Sequence, residues 1–318
     1  MPEQSISLPA QRRSSKAAIA RRRSAGEWLA VLAPYLWLLA FFLVPFAIVF
    51  KISLSQTAIA QPPYLPVFDP AAGWQGVRDF LAGLSFDNYE TLISDNLYLV
   101  SYLKSLKIAA VSTVILVLAG YPLAYAMTRT PRRVRALLVT LVVLPFLTSF
   151  LIRVYAWIDI LQRDGLLNQA LIGLGLVNEP LTWLATDTAV YIGIVYSYLP
   201  FMVLPLYAGL EKLDESLLEA AADLGAPRWK AFLEVTVPLS FRGLIAGALL
   251  CFIPIVGEFV IPDLLGGSET PMIGQTLWTE FFANKDWPVA SAVAVVLVVL
   301  LVAPIAIYQH LQTRDIGR

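Results

Sequence analysis

The chain has 318 residues, of which 58% are hydrophobic and only 14% are charged, and its mean hydropathy is +0.69. Soluble domains are about a quarter charged, so this composition indicates an integral membrane protein. The formal net charge of zero leaves no overall basic surface for nucleic acid. Cys251 and His310 are the only cysteine and histidine, which excludes an internal disulfide and the common histidine and cysteine metal clusters.

Residues 1–27 carry six basic side chains and no long apolar run, which predicts a disordered cytoplasmic tail whose charge sets the orientation. A targeting signal is the alternative, because Arg22 and Arg23 precede an apolar run and residues 58–60 resemble a cleavage site. The run between them, residues 28–50, is longer than the apolar core of a signal peptide, which is about 7–15 residues. It fits a membrane span of about 20 residues, so we predict a retained first helix.

Five more apolar runs predict five further spans, and together with the first they make an all-α membrane protein with six transmembrane helices. They cover residues 106–127, 136–160, 189–210, 244–264 and 289–308. Every span contains or begins with proline, which bends a membrane helix and frees backbone carbonyls. This pattern predicts bent helices around a cavity, and a plain structural bundle is the alternative.

The distribution of lysine and arginine predicts the orientation of the spans. With six spans, the N-terminus, two loops and the C-terminus share one side of the membrane, and that side holds 16 of the 23 basic residues. Because basic loops stay in the cytoplasm, both termini and the loop after the fourth span are expected there. We therefore divide the chain into a basic cytoplasmic tail, residues 1–27, and a transmembrane domain, residues 28–318.

The long segment between the first two spans, residues 51–105, is expected outside the cell. Its prolines predict an extended chain at the start, and residues 86–104 predict a helix on the outer surface. The outer loops and adjoining helix ends hold 14 of the 23 acidic residues. These carboxylates either concentrate cations near the mouth of a path or are simply tolerated there, and the sequence leaves both interpretations open.

A polar island, residues 211–240, interrupts the apolar runs on the predicted cytoplasmic side. Ser216 and Glu219 have the spacing of a capping box that begins a helix, and Gly225 suits the left-handed end of that helix. Pro227 suits the first turn of a second short helix, and Pro238 is expected to end it. The island therefore predicts two short helices joined by a glycine turn, with leucines and alanine at 217, 218, 221 and 224 on one face.

This island resembles the EAA loop of bacterial ATP-binding-cassette (ABC) importer permeases. The likeness rests on Glu219-Ala220-Ala221, on Gly225 after three intervening residues, and on residues 235–238, which end at Pro238. The family has isoleucine and leucine where this chain has Val235 and Val237. The resemblance implies the type I ABC importer permease fold and a loop that docks into a groove on an ATPase subunit. Glu219 is then expected to offer its carboxylate to the ATPase, and the alternative is that it only closes the capping box.

The fifth span carries a carboxylate, Glu258, that we expect in the outer part of the bilayer. A charge at that depth is costly and is a functional candidate by default. The third span ends at a similar depth, so we predict an acidic and aromatic cage that suits an organic polycation. Its members are Tyr155, Trp157, Asp159, Glu258 and Asp263. The alternative is that Glu258 pairs with Arg153 and that the aromatic residues form an interfacial belt.

Gly243 and Gly247 lie earlier in the same span with G-x-x-x-G spacing. Such a pair lets a neighbouring helix approach closely, although the pattern is common in apolar sequences.

Four further stretches resemble the permeases of polyamine importers, most closely those of putrescine systems. They are residues 149–157, 190–196, 257–267 and 281–292. The resemblance implies a second, homologous permease, a pair of ATP-binding subunits and a periplasmic polyamine-binding protein as partners. It also implies a multi-pass location in a bacterial inner membrane.

The chain lacks the P-loop pattern for ATP phosphates and the common hydrolase and metalloprotease patterns. We therefore expect no enzyme activity and no cofactor in this chain, with ATP hydrolysed by a partner. The expected function is the permease subunit of an ATP-driven putrescine importer. The alternatives are an ABC importer permease for another small solute and a secondary transporter that works alone, which is expected to show inverted repeats.

Overall fold

The computed structural model describes residues 25–67, 71, 73–267 and 271–316, with side chains between residues 31 and 302. The chain divides into two compact units, residues 1–48 and 49–318. Of the predicted basic tail, residues 1–24 lie outside the described part of the chain.

The first span is helical, as predicted. It consists of α1 (Ala25–Leu38), a π-helical turn (Leu39–Leu43) and α2 (Val44–Ser53). The part of this helix with described side chains, Val31–Ser53, is apolar and 23 residues long, which is enough to cross a membrane. The wide turn directly precedes Pro45, which has no N–H to donate to a regular helical bond.

The predicted outer segment contains two short strands and two helices. Strands β1 (Gln56–Thr57) and β2 (Tyr64–Leu65) pair antiparallel. They are followed by α3 (Gly73–Ala82) and α4 (Asp87–Ser94). The helix expected over residues 86–104 is divided at Asp95, whose extended backbone ends α4 and whose carboxylate accepts the Leu97 N–H at 2.8 Å. That cap begins α5 ten residues before the predicted second span.

Three long helices form the core of the second unit: α5 (Asn96–Arg129), α9 (Asp187–Leu210) and α12 (Val237–Val256). The predicted close approach at the G-x-x-x-G pair is confirmed where α12 crosses α9. A Cβ on Gly243 would stand 2.9 Å from the Pro205 carbonyl oxygen, and one on Gly247 would stand 3.0 Å from the Met202 sulfur. Only glycine lets the two backbones lie this close.

The predicted third span is not one straight helix, which corrects the expectation for residues 136–160. Helix α6 (Arg132–Val143) ends in a 3₁₀ turn (Leu144–Leu147), and α7 (Phe150–Leu161) and α8 (Leu166–Gly173) continue at 89° to it. Pro145 lies in the 3₁₀ turn, and the two residues after that turn adopt extended backbone. The helical hydrogen bonds therefore stop at the bend.

The rest of the second unit consists of short helices followed by one long helix. Their bounds are α10 (Ser216–Asp223), α11 (Arg228–Ala231), α13 (Val260–Leu265), α14 (Ile273–Trp278) and α15 (Trp287–Ile316). π-Helical turns follow α11 (Phe232–Thr236) and α14 (Thr279–Ala283). The predicted fifth span, residues 244–264, is thus broken after Val256 into α12 and α13.

Among the described residues, four helices are long and apolar enough to cross a membrane, and the bent pair α6–α8 makes a fifth if it is one span. Helix α15 adds the apolar stretch Trp287–Val302 over its described side chains. The architecture is all-helical apart from the two-residue strands.

Candidate functional site

The predicted glycine turn in the polar island is present, and we call residues 216–231, from α10 through α11, the elbow. Gly225 has φ +81°, so it lies in the left-handed region. The Ala226 N–H donates to the Ala221 carbonyl at 3.0 Å and the Gly225 N–H donates to the Ala222 carbonyl at 2.8 Å. This pair of bonds is the Schellman motif, so the sequence located the end of α10 correctly.

The predicted capping box is not formed. Ser216 is the first residue of α10, and its N–H donates to the Asp214 carboxylate at 3.0 Å. The side chain that accepts an N–H at the start of α10 is therefore Asp214, two residues before Ser216, and not the Ser216 hydroxyl. This backbone hydrogen bond lowers the pKa of the Asp214 carboxyl.

The two prolines of the island lie near helix starts, and one of the expectations for them was wrong. Pro227 directly precedes α11 rather than lying in its first turn. Pro238 does not end the second short helix, because α11 continues through the π-helical turn into α12, and residues 228–256 form one apolar helix. The Val237 N–H reaches back to the Phe232 carbonyl in this turn, and Pro238 follows as one of the first residues of α12. The wider turn accommodates a residue that has no N–H.

The elbow exposes a carboxylate among apolar side chains. Glu219 is exposed and its carboxylate makes no hydrogen bond or ion pair with another described residue. Leu224 is 89% exposed and Trp229 is 66% exposed, whereas Leu218 and Ala221 on the predicted face are half-buried. Ala220 and Pro238 are also exposed. The elbow is therefore a surface with uncovered apolar area and exposed negative charge, at Glu219 and at Asp223.

A cavity of about 490 Å³ lies beneath the elbow. Its lining includes Glu219 and Ala222 of the elbow, and Tyr125 and Arg129 at the end of α5. The elbow thus stands over open space on this side rather than being packed against the long helices.

Ion pairs connect the start of the elbow to the loop between α5 and α6, and sequence reasoning missed them. The Arg135 guanidinium lies 3.7 Å from the Glu211 carboxylate and donates to the Thr130 carbonyl at 2.8 Å and to the Thr128 carbonyl at 2.5 Å. The Tyr207 hydroxyl donates to the same Glu211 oxygen at 2.9 Å. The sequence shows that the two segments carry opposite charges, but it does not show which basic residue pairs with which acidic residue.

A second ion pair runs beside the first. The Arg129 guanidinium lies 4.0 Å from the Glu215 carboxylate and 5.0 Å from the centre of the Tyr125 ring. The pairs join the end of α5 and the first turn of α6 to the five residues between α9 and α10, so they hold the chain that leads into the elbow.

Glu258 lies in the break between α12 and α13 rather than inside a helix. Its side chain is buried, with 9% exposed. One carboxylate oxygen accepts the Tyr198 hydroxyl at 2.7 Å, and the other accepts the N–H groups of Val260 at 3.1 Å and Ile261 at 3.5 Å. Glu258 therefore caps the start of α13 and ties it to α9.

The alternative partner, Arg153, does not pair with Glu258, although both line one cavity of about 490 Å³. The Arg153 guanidinium lies over the rings of Phe146 at 5.1 Å and Phe150 at 5.6 Å. Its Nε and Nη1 atoms are shielded from solvent and have no hydrogen-bond partner among the described residues. The cavity is otherwise apolar, with Ser197, Tyr198, Phe201, Leu249, Leu250, Ile253 and Pro254 on its walls.

The acidic members of the predicted cage have separate partners. Asp159 is exposed and accepts a bond from the Gln162 amide at 3.4 Å. Asp263 is exposed and accepts a bond from the Gln275 amide at 3.1 Å.

The aromatic members are also separate from the carboxylates. Trp157 packs edge to face against Tyr196, with ring centres 5.3 Å apart, and Tyr155 is 55% exposed. No hydrogen bond, ion pair or ring contact joins any two of the five predicted cage residues within the described chain. The cage stays a prediction, and only Glu258 of the five lines the cavity that holds Arg153.

Tyr198 is the functional candidate that sequence reasoning missed. A tyrosine in an apolar span needs a partner for its hydroxyl, which was the available signal. The identity of that partner, 60 residues further along the chain, depends on how α9 packs against α12.

No group of three histidine, cysteine, aspartate or glutamate residues in the described part of the chain is arranged to hold a metal ion.

Comparison with known proteins shows the family of the chain. The family described as "Binding-protein-dependent transport system inner membrane component" matches residues 117–315. The spermidine/putrescine transport system permease protein PotB of Haemophilus influenzae is 39% identical over 86% of this chain and 89% of its own. PotB of Escherichia coli is 40% identical over 70% of this chain and 81% of its own.

A solved structure shares the fold. It is a bacterial ABC transporter involved in the import of the acidic polysaccharide alginate, with a TM-score of 0.66 over 90% of this chain and 94% of that one. The identity is 16%, so this likeness shows the fold alone.

Proposed function

The chain belongs to the family of inner membrane components of binding-protein-dependent transport systems, and from that premise we propose that it is the permease subunit of an ATP-driven polyamine importer, with putrescine as its cargo. Members of this family are transport permeases rather than enzymes. The chain is accordingly a multi-pass protein of a bacterial inner membrane.

The likeness to relatives named as spermidine/putrescine permeases carries the polyamine assignment, because it extends over most of the chain. The structure adds a buried carboxylate, Glu258, at the break between α12 and α13, and a negative charge in a membrane-spanning segment supports a path for a cation.

Six spans with both termini in the cytoplasm are part of the proposal. The four long helices, the bent pair α6–α8 and α15 supply six crossings. The excess of lysine and arginine on one set of loops supports the orientation, and it places the elbow on the side of the membrane where ATP is found.

The elbow is the proposed contact with a separate ATPase. The proposed coupling residues are Glu219, Ala220, Ala221 and Gly225 in the elbow and Pro238 at the start of α12. An exposed carboxylate beside the exposed Leu224 and Trp229 supports a protein contact at this surface. The chain has no pattern for binding ATP phosphates, so the two ATP-binding subunits hydrolyse ATP and this chain needs no cofactor of its own.

Two further partners complete the proposed importer. A second, homologous permease forms the other half of the translocation path. A periplasmic polyamine-binding protein delivers the cargo to the outer face, where the predicted cage residues Tyr155, Trp157, Asp159 and Asp263 would meet it together with Glu258.

Uptake by the purified importer in proteoliposomes tests the proposal, with ATP inside, the binding protein outside and radiolabelled putrescine as cargo. We expect ATP-dependent uptake that unlabelled putrescine inhibits at lower concentration than spermidine does. If spermidine inhibits at the lower concentration, the preferred cargo is spermidine rather than putrescine. If the importer takes up another solute but neither polyamine, the polyamine assignment is wrong.

Proteoliposomes that contain this chain alone provide the control. Uptake there without ATPase subunits would favour a secondary transporter and contradict the importer.

A further inference from the structure

We propose that the cavity between α7, α9 and α12 receives an acidic side chain of the second permease, which pairs with the Arg153 guanidinium. The inference rests on the proposed function, because it requires that second permease. The inference identifies a contact between the two permease subunits, and the family assignment does not say which residues make that contact.

The Arg153 side chain has hydrogen-bond donors that lack an acceptor among the described residues of the cavity. Arg153 has five N–H donors and can accept none, and its Nε and Nη1 are shielded from solvent without a partner. A buried charged donor without a partner is destabilising, whereas buried charges that persist are paired. The site therefore lacks an acceptor, and an anionic acceptor matches it best.

This chain does not supply that acceptor. Glu258 is the carboxylate on the cavity wall, and its two oxygens already accept the Tyr198 hydroxyl and two backbone N–H groups at the start of α13. Moving Glu258 to Arg153 would leave those three donors unpaired. The faces of Phe146 and Phe150 hold the guanidinium in place, but a ring face does not accept the N–H bonds in the ring plane.

The cargo cannot supply the acceptor either. A polyamine carries ammonium groups, which donate hydrogen bonds and repel a guanidinium. Neither Glu258 nor the cargo accepts the Arg153 N–H bonds, so a carboxylate or phosphate from outside this chain is the acceptor that best matches its charge.

The surroundings of the cavity favour a protein partner. Phe146, Phe201 and Leu250 on its walls are 36%, 39% and 52% exposed, and Leu147 and Leu151 beside it are 75% and 50% exposed. In a membrane-spanning segment lipid tails could also cover this apolar rim, but they cannot accept the N–H bonds of the guanidinium, so the occupant has to bring an acidic group. Charge complementarity therefore makes the occupant an aspartate or glutamate of the second permease.

Co-purification of the complete importer through a tag on this chain tests the inference. Arg153→Gln removes the charge and leaves a shorter, neutral amide, so we expect the amount of second permease retained per chain to fall about tenfold or more. Arg153→Lys keeps the charge without the fork of donors and should retain an intermediate amount. Arg163→Gln, at an exposed arginine on the turn after α7, is the matched control and should retain the wild-type amount.

Selection for suppressors of Arg153→Glu under polyamine limitation identifies the partner residue. Suppressors that convert an acidic residue of the second permease to lysine or arginine would support the proposal. Suppressors confined to Glu258, full retention of the second permease by Arg153→Gln, or loss of a bound anionic lipid in place of the permease would each overturn it. If no second permease co-purifies with the wild-type chain, the proposed function itself is wrong.

Discussion

The elbow and the break at Glu258 are both interruptions of helix that hold a carboxylate, yet they treat it in opposite ways. In the elbow, Glu219 is exposed and makes no bond to another described residue. At the break, Glu258 is 9% exposed and accepts three hydrogen bonds. The first arrangement leaves a charge available to a partner outside the chain, and the second uses the charge to fix the position of α13 against α9.

This difference separates two ways in which a helix break contributes to transport. The elbow depends on local backbone geometry and a cavity beneath it, so it can transmit a movement imposed from outside. The break at Glu258 depends on long-range contacts, so it responds when the packing of α9 and α12 changes. Substitutions should therefore separate ATP hydrolysis from substrate affinity.

The largest effect is expected for Gly225→Val in the elbow. A branched side chain at φ +81° costs about 1–2 kcal/mol and turns the backbone away from the Schellman geometry, although the space around the position is open. We expect substrate-stimulated ATP hydrolysis and uptake to fall by at least about tenfold. Both are measured on the importer in proteoliposomes, with insertion checked by the yield of purified complex.

Gly175→Val is the matched control for that substitution. Gly175 has φ +69°, has open space around it and ends α8 with the same pair of hydrogen bonds, from Gly175 to Ile172 and from Leu176 to Leu171. It lies in the loop before α9, on the proposed outer side. Equal losses in both variants would show that the effect is general backbone strain and would contradict a special role for the elbow.

The contrast also explains which features the sequence predicts. The end of α10 follows from Gly225, because the requirement for a left-handed residue is local. The start of α10 was assigned to a cap at Ser216, but Ser216 is itself the first helical residue and its N–H donates to Asp214, because a second polar residue two positions earlier also suits a helix start. The continuation past Pro238 was missed because a π-helical turn leaves no clear mark in the residue pattern.

Features that depend on tertiary packing were the least predictable. The position of α9 was predicted within two residues at its start, since a long apolar run bounded by polar residues defines it. A bend in the third span was predicted from its proline, but the full break after α6 was not, because Pro145 is compatible with both a kinked helix and a break. The Glu258–Tyr198 bond joins residues 60 positions apart, and no spacing rule reaches that far.

An intermediate effect is expected for Glu258→Gln. The substitution removes the negative charge from the cavity and weakens the cap of α13, which is worth about 1 kcal/mol. We expect KM for polyamine uptake to rise about tenfold, equivalent to about 1.4 kcal/mol, with ATP hydrolysis at saturating substrate nearly unchanged. Uptake measured over a range of putrescine concentrations separates KM from the maximal rate.

Glu280→Gln provides a close control for this variant. Glu280 is also 9% exposed and also accepts a tyrosine hydroxyl, from Tyr98 at 3.1 Å, together with the Asn284 amide at 2.9 Å. It does not line the cavity with Arg153. A similar rise in KM for both variants would mean that loss of any buried carboxylate disturbs the helices and would remove Glu258 from the substrate path.

The smallest effect is expected at the ion pair between Arg135 and Glu211, which joins the elbow to the α5–α6 loop. The two side chains are 22% and 47% exposed, so solvent screens the pair and its coupling energy should be about 0.2–1 kcal/mol. A double-mutant cycle with Arg135→Ala and Glu211→Gln should therefore change the stimulation of ATP hydrolysis by the binding protein about 1.5–5-fold non-additively. High salt should reduce the coupling further.

Lys230→Ala breaks the 3.9 Å pair with Glu234, on the C-terminal side of the elbow, and serves as the control. Additive effects in the cycle, or an equal loss in Lys230→Ala, would show that the α5–α6 loop does not hold the elbow in position for the ATPase.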